Sequence, residues 1–334
     1  MVCVGSSVAV SQTIVDAPLF TLQAVRYALA AVLLLVLARV GRRRLPRPHG
    51  WEWAWLAGVA ATGLVLFNVG IVRGVEHAEP AVIGVAVAAV PLVLAVAGPL
   101  AARIRPTAAV VAGAVVVSIG AALVSGGGRT DGAGLGWAAV VLACEAAFTL
   151  LAVPVLGRLG PWAVSLHAVW IAAVALAVLG VLVDGHSAVA ALDARDLLAA
   201  AYLAVVVTAL AFVLWYGAVG RIGAARAGLF TGVVPVTAAL GGVLLGGPAP
   251  AASVWVGTAV VAVGLTVGFG AVGGPAPRVR ASRYGAASEC DVPGRGHRPR
   301  CGIRAGPGVA FAPERADSRA RDRPLARRNV PTRG

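Results

Sequence analysis

"AVIGVAVAAVPLVLAVAGPL" occupies residues 81–100, and 144 residues further on "ARAGLFTGVVPVTAALGGVL" occupies residues 225–244. Each sets a proline, Pro91 and Pro235, in the middle of an apolar run that otherwise reads as helix. A proline inside a helix removes one backbone hydrogen bond and costs about 3 kcal/mol. Carrying it at the same place twice needs a reason.

The match extends beyond the prolines. The same offset sets Gly84 on Gly228, Gly98 on Gly242, Pro106 on Pro250, Gly113 on Gly257 and Gly120 on Gly264, and 14 of the 40 positions from 81 to 120 are identical. A chain this rich in Ala, Val, Gly and Leu matches itself by chance at about one position in eight. Leu22 with Leu166, Ala24 with Ala168, Val25 with Val169, Ala28 with Ala172 and Ala31 with Ala175 obey the same offset without a gap. The chain is therefore an internal repeat.

Its medium follows from composition. With 59% hydrophobic and 13% charged residues and a mean hydropathy of +0.87, the chain lies outside the range of soluble domains. Nine apolar runs long enough to cross a bilayer fall at about residues 20–40, 51–72, 80–101, 107–125, 135–156, 162–183, 197–219, 224–246 and 252–273. The opening "MVCVGSSVAVSQTIVDAPLF" is too short for a tenth and, lacking a basic start and a clear cleavage site, does not read as a signal peptide. It reads as a first membrane helix whose beginning is missing, about eight to ten residues short of its counterpart near Gly134. The expected fold is thus an all-α membrane protein of ten transmembrane helices, the first truncated. It divides into five-helix repeats at 1–128 and 129–274 and an Arg/Pro/Gly-rich disordered cytoplasmic tail at 275–334.

An odd number of helices per repeat forces the halves to insert in opposite directions, and charge agrees. Arg39, Arg42, Arg43, Arg44 and Arg47 crowd one loop, which the positive-inside rule assigns to the cytoplasm. Counting spans puts Arg103, Arg105, Arg158, Arg221, Arg226 and the tail on that side. Asp16, Glu76, Glu79, Asp131, Asp184, Asp193 and Asp196 fall opposite, with Arg73, Arg129 and Arg195 among them. Matched loops flip sign: "RRRLPRP" (42–48) answers to "DGHSAVAALDARD" (184–196), and Arg103 and Arg105 to Gly247 and Ala249. Both termini are expected in the cytoplasm and the protein in the inner membrane.

"GSSVAV" (5–10), "LQAVRYALAAVLLL" (22–35) and "LWYGAVGRIGAARAGLFTGVVPVTAALGGVLLGG" (214–247) resemble the EamA family of the drug/metabolite transporter superfamily, over about residues 1–273. The resemblance implies two inverted five-helix repeats, a cavity between them, and export or exchange of small metabolites. Two features depart from it. The family often carries an acidic residue just after the proline-bearing helix, where this chain has "GGP" (246–248) and "GPLAA" (98–102); and the shortened first helix normally lines the cavity.

The polar residues at membrane depth are the candidate site. Glu145 is the only carboxylate well inside a span; a charge there costs about 2.5–3.5 kcal/mol, so it must be protonated, paired or wet. It is read either as a proton carrier or as a polar face of the cavity. Arg26 either holds a substrate carboxylate, pairs with Glu145, or snorkels to the interface. Gln23 and His167 occupy matched positions, as two gates or as helix-to-helix hydrogen bonds. Asn68 and the Trp215, Tyr216 pair either meet substrate or, for the aromatics, anchor the interface. Pro91 and Pro235 either bend both halves around a central site or are merely tolerated because neighbouring helices satisfy the freed carbonyls.

Other features read as structural. The glycines let helices approach closely. "SGGGRTDGAG" (125–134) lacks the Lys-Ser/Thr ending of a phosphate loop and reads as the linker between halves. Cys3, Cys144, Cys290 and Cys301 form no disulfide framework, and Cys290, His297 and Cys301 match no zinc signature; no metal or cofactor is expected. The tail, with 14 arginines and five acidic residues, suits anionic lipid headgroups rather than nucleic acid.

These residues point to a secondary transporter for a metabolite, amino acid or drug, working by alternating access with protons as a candidate coupling ion. Membrane lipids and a small-molecule substrate are the expected partners, and a homodimer is left open. The alternatives are a non-transporting membrane subunit and an intramembrane enzyme. The latter needs converging catalytic groups, whereas Glu145 and His167 fall in different leaflets.

Overall fold

The structure, a computed structural model, describes Cys3, residues 17–244 and residues 250–270. The expected truncated first helix, "GGP" at 246–248 and the tail with Cys290, His297 and Cys301 lie outside the described residues. Within them the chain runs up and down as nine membrane-length helices: α1 (Leu19–Val40), α2 (Glu52–His77), α3 (Ala81–Ala101), α4 (Ala108–Ser125), α5 (Gly132–Leu150), α6 (Val153–Asp184), α7 (Ala194–Ile222), α8 (Ala224–Gly241) and α9 (Ala252–Gly270). Helix is what hydrocarbon demands, because no water is there to take a free N–H or C=O. Large apolar side chains such as Leu182 and Leu198, both over 70% exposed, face outward as lipid requires.

Two neighbouring expected boundaries, the end of the run at 135–156 and the start of the run at 162–183, which begins at Val153, are wrong for one readable reason. The run at 135–156 ends as helix at Leu150 because Pro154, at the start of α6, has no N–H to give the Leu150 carbonyl. α6 then breaks again at Gly160, whose φ of 73° few residues but glycine adopt.

The up-and-down course gathers charge by sign at the two ends. At the basic end Arg158 pairs with Glu52 and donates to the Arg47 carbonyl at 3.0 Å, tying α6 to the loop before α2. At the acidic end Arg129 holds Glu79 at 2.9 Å and His77 meets Asp131 at 3.1 Å. Asp184, at the end of α6, accepts from the Thr21 N–H at 2.8 Å and the Thr21 hydroxyl at 2.9 Å, so α6 caps the start of α1. That contact sets α1 and α6 antiparallel.

α4 and α9 also run antiparallel, in a crossing made by glycine. A Cβ on Gly113 would fall 2.6 Å from the Gly268 Cα and 2.8 Å from the Gly264 carbonyl oxygen; one on Gly120 would fall 2.8 Å from the Gly257 carbonyl oxygen. Adding 144 to Gly113 gives Gly257 and subtracting 144 from Gly264 gives Gly120. The two close approaches therefore exchange with one another under the repeat offset.

The offset also relates the irregular backbone. α2 widens into a π segment at Ala61–Leu66 and α7 at Leu203–Leu210; 61–66 plus 144 is 205–210. α3 is interrupted at Ala89 and α8 by a tight turn at Phe230–Gly232, each just ahead of its proline. The helical bonds lost are those the proline rings cannot make.

Candidate functional site

The matched irregularities converge on one cavity of about 570 Å³, within the range of small-molecule sites. Six helices line it: α1, α2, α3, α5, α7 and α8. Neither Pro91 nor Pro235 touches it. The residues four positions earlier, Val87 and Thr231, do, and theirs are the carbonyls that a proline leaves without a helical donor.

A directional hydrogen-bond chain crosses this cavity through α1. Asn68 on α2 donates to the Tyr27 hydroxyl at 3.3 Å and to the Leu64 carbonyl inside the π segment. Gln23 donates to the Asn68 oxygen at 2.9 Å, Arg26 Nη1 donates to the Gln23 oxygen at 3.2 Å, and Arg26 Nε donates to the Thr208 hydroxyl at 3.0 Å. Thr208 belongs to the π segment of α7. The guanidinium also lies over the Tyr27 ring, 5.1 Å from its centre. The polar face of α1 thus ties together the widened turns of α2 and α7.

Glu145 lines the same cavity from α5 and, among the described residues, has no hydrogen-bond or ion-pair partner. The pairing of Arg26 with Glu145 entertained from depth alone is not formed. Its hydrogen bonds go instead to Thr208 and Gln23. Around Glu145 the wall is aromatic. Phe148 packs on Phe212 at 5.1 Å and on Tyr216 at 5.3 Å between ring centres, and Phe148 fits against α2 because Gly63 has no Cβ to meet its ring. Trp215 lines the cavity with its indole N–H on the Thr149 hydroxyl at 3.2 Å, and Phe230 lines it from α8.

Two sequence candidates stand elsewhere. Tyr216 is fully buried behind the wall, its hydroxyl donating to the Phe148 carbonyl at 3.3 Å. His167 accepts from the Trp170 indole at 3.0 Å and sits edge-on to Trp53 at 5.4 Å, on a flank where both tryptophans are exposed. It therefore does not share the environment of Gln23, its counterpart in the repeat. Conversely, Tyr27, Thr208, Thr231 and Phe230 were not singled out from sequence. Only Thr231 carried a signal, its position four residues before Pro235.

A more open hollow of about 450 Å³ lies at the acidic end among Val75, Glu76, His77, Ala78, Glu79, Arg129 and Thr130, at the last turn of α2 and the segments that follow α2 and α4. Among the described residues no three His, Cys, Asp or Glu side chains stand close enough to share a metal ion.

Comparison with known proteins agrees with the helical architecture. The EamA-like transporter family matches residues 1–126 and 132–269. A protein of Bacillus subtilis (strain 168) described as the uncharacterized transporter YetK is 28% identical over 260 residues, covering 74% of this chain and 78% of the relative. A solved crystal structure superposes with a TM-score of 0.69 at 20% identity, covering 80% of this chain and 94% of the other; at that identity the likeness is one of fold.

Proposed function

The chain belongs to the EamA-like transporter family, and from its cavity we propose that this multi-pass membrane protein exports or exchanges a small solute by alternating access, with Glu145 taking up a proton when the solute leaves. The carrying observation is a carboxylate that has no partner among the described residues, on the wall of a cavity built from both sequence repeats. Leaving a charge unpaired at that depth is costly, so a proton or a cationic solute relieves it in turn. Such competition couples the two fluxes.

In this reading the halves, 1–128 and 129–274, are inverted repeats that rock about the α4–α9 crossing. The exchangeable glycine contacts, the matched π segments and the matched breaks before Pro91 and Pro235 support it. The sign of the charged ends favours insertion in the inner membrane with the basic end, and both termini, in the cytoplasm.

The test uses proteoliposomes loaded with the small-molecule fraction of a cell extract, with efflux followed by mass spectrometry under an imposed pH gradient. At least one solute leaves faster than from empty vesicles, and Glu145→Gln abolishes the gradient dependence while solute still raises the melting temperature. Unchanged gradient dependence in the variant removes the proton role, and no solute efflux removes the transporter reading.

A further inference from the structure

Arg26 and Glu145 are the two charged residues among the described lining of the cavity, and neither has a counter-charge. Among the described residues, Arg26 donates only to the neutral oxygens of Thr208 and Gln23 and Nη2 has no hydrogen-bond partner; Glu145 has none there either. Arg26 is seven residues into α1 and Glu145 thirteen residues into α5, and both helices start at the acidic end. At 1.5 Å per residue that is about 10 Å along α1 and about 20 Å along α5 from their starts. Both side chains are long, yet they do not meet as an ion pair.

Resting on the transporter reading, we propose that the solute is an extended zwitterion the size of a di- or tripeptide, with its carboxylate on Arg26, its ammonium on Glu145 and an apolar body between. Two opposite uncompensated charges on one apolar wall are each costly, and a solute carrying both complements relieves both at once. An α-amino acid is too short, because its two charged groups flank a single carbon. Extended peptide gains about 3.3–3.6 Å per residue, so two or three residues match the offset of about 10 Å between the two positions along their helices. Phe67, Val207, Ala211 and Phe212, which line the same cavity, favour apolar side chains. Phe148, on the same helix as Glu145, and Trp215, bonded to Thr149 on that helix, add ring faces suited to an ammonium. Gln23 and Thr208 hold the guanidinium so that its remaining N–H groups are free for a carboxylate.

The test is isothermal titration calorimetry on the purified protein in nanodiscs with four probes: dileucine, N-acetyl-dileucine, dileucine amide and leucine. Dileucine binds at least about tenfold tighter than each of the others, the effect of losing one charge-assisted contact. Glu145→Gln lowers dileucine to the level of the N-acetyl form and keeps the preference over the amide; Arg26→Gln does the reverse. Arg26 also bridges α1 to α7, so if Arg26→Gln fails to fold, the wild-type ratio of dileucine to its amide decides that arm alone. Capped forms or leucine binding as tightly as dileucine, or none of the probes binding, overturns the proposal. Those outcomes leave untouched the efflux test above, which needs no assumed solute.

Discussion

Replacing Gly113 or Gly257 by alanine tests whether the α4–α9 crossing is as close as described. The new Cβ of Gly113→Ala would sit 2.6 Å from the Gly268 Cα and N, and that of Gly257→Ala 2.6 Å from the Gly120 carbonyl oxygen. These are backbone atoms of a helix, so no rotamer change moves them aside. Ordinary contact begins at 3.4 Å, so the helices must part by about 1 Å along a tightly packed seam. Overpacking of this kind costs about 1–3 kcal/mol, offset by up to about 1 kcal/mol because alanine suits a helix interior better than glycine. We expect each variant to be less stable by about 1–2 kcal/mol, seen as a lower Tm of the purified protein in detergent by circular dichroism. The two sites press the same pair of helices apart, so the double variant loses less than the sum. Gly217→Ala on α7, where a Cβ meets nothing within 4 Å, serves as control and keeps or raises the Tm. A wild-type Tm for either crossing variant, or full additivity in the double, refutes the close contact of α4 with α9.

Pro91→Ala and Pro235→Ala restore the N–H that Val87 and Thr231 lack. We expect both to insert and melt normally yet move solute more slowly in the efflux assay, and wild-type rates for both would make the breaks incidental to transport. The Asp131 carboxyl is held below the usual carboxylate range, first by the Gly134 backbone N–H and then by His77. Because its folded pKa is depressed, its contribution is complete above the unfolded value of about 3.9 and is lost as pH falls through the folded one. Asp131→Asn should therefore flatten the acid limb of Tm against pH below about 4; an unchanged limb excludes the cap as its source.

How far the residues were legible depended on whether the solvent or the neighbours decide them. Hydrocarbon forces every apolar run into helix, so seven of the nine spans lay near their expected places, and Pro154 explains the early stop of the run at 135–156 and the early start of the next at Val153. Glu145, Arg26, Gln23 and Asn68 stood out because a polar group at depth is expensive wherever it points. Their partners did not. The donor from Arg26 to Thr208 spans 182 positions, and no local pattern announces it.

His167 shows the limit of repeat reasoning. Sharing a position with Gln23 constrains the backbone, while the side chain answers to what packs on it, Trp170 and Trp53 in one case and Asn68 in the other. The π segments of α2 and α7 were equally invisible, since the extra residue in a widened turn has no periodicity of its own. By itself the sequence determined a membrane-embedded helical chain, duplicated at an offset of 144, with two prolines and two opposite charges at depth. Only the tertiary structure decided that those charges face one cavity without meeting. The bilayer acts on each segment alone, whereas the distance between side chains on different helices depends on how all the helices pack together.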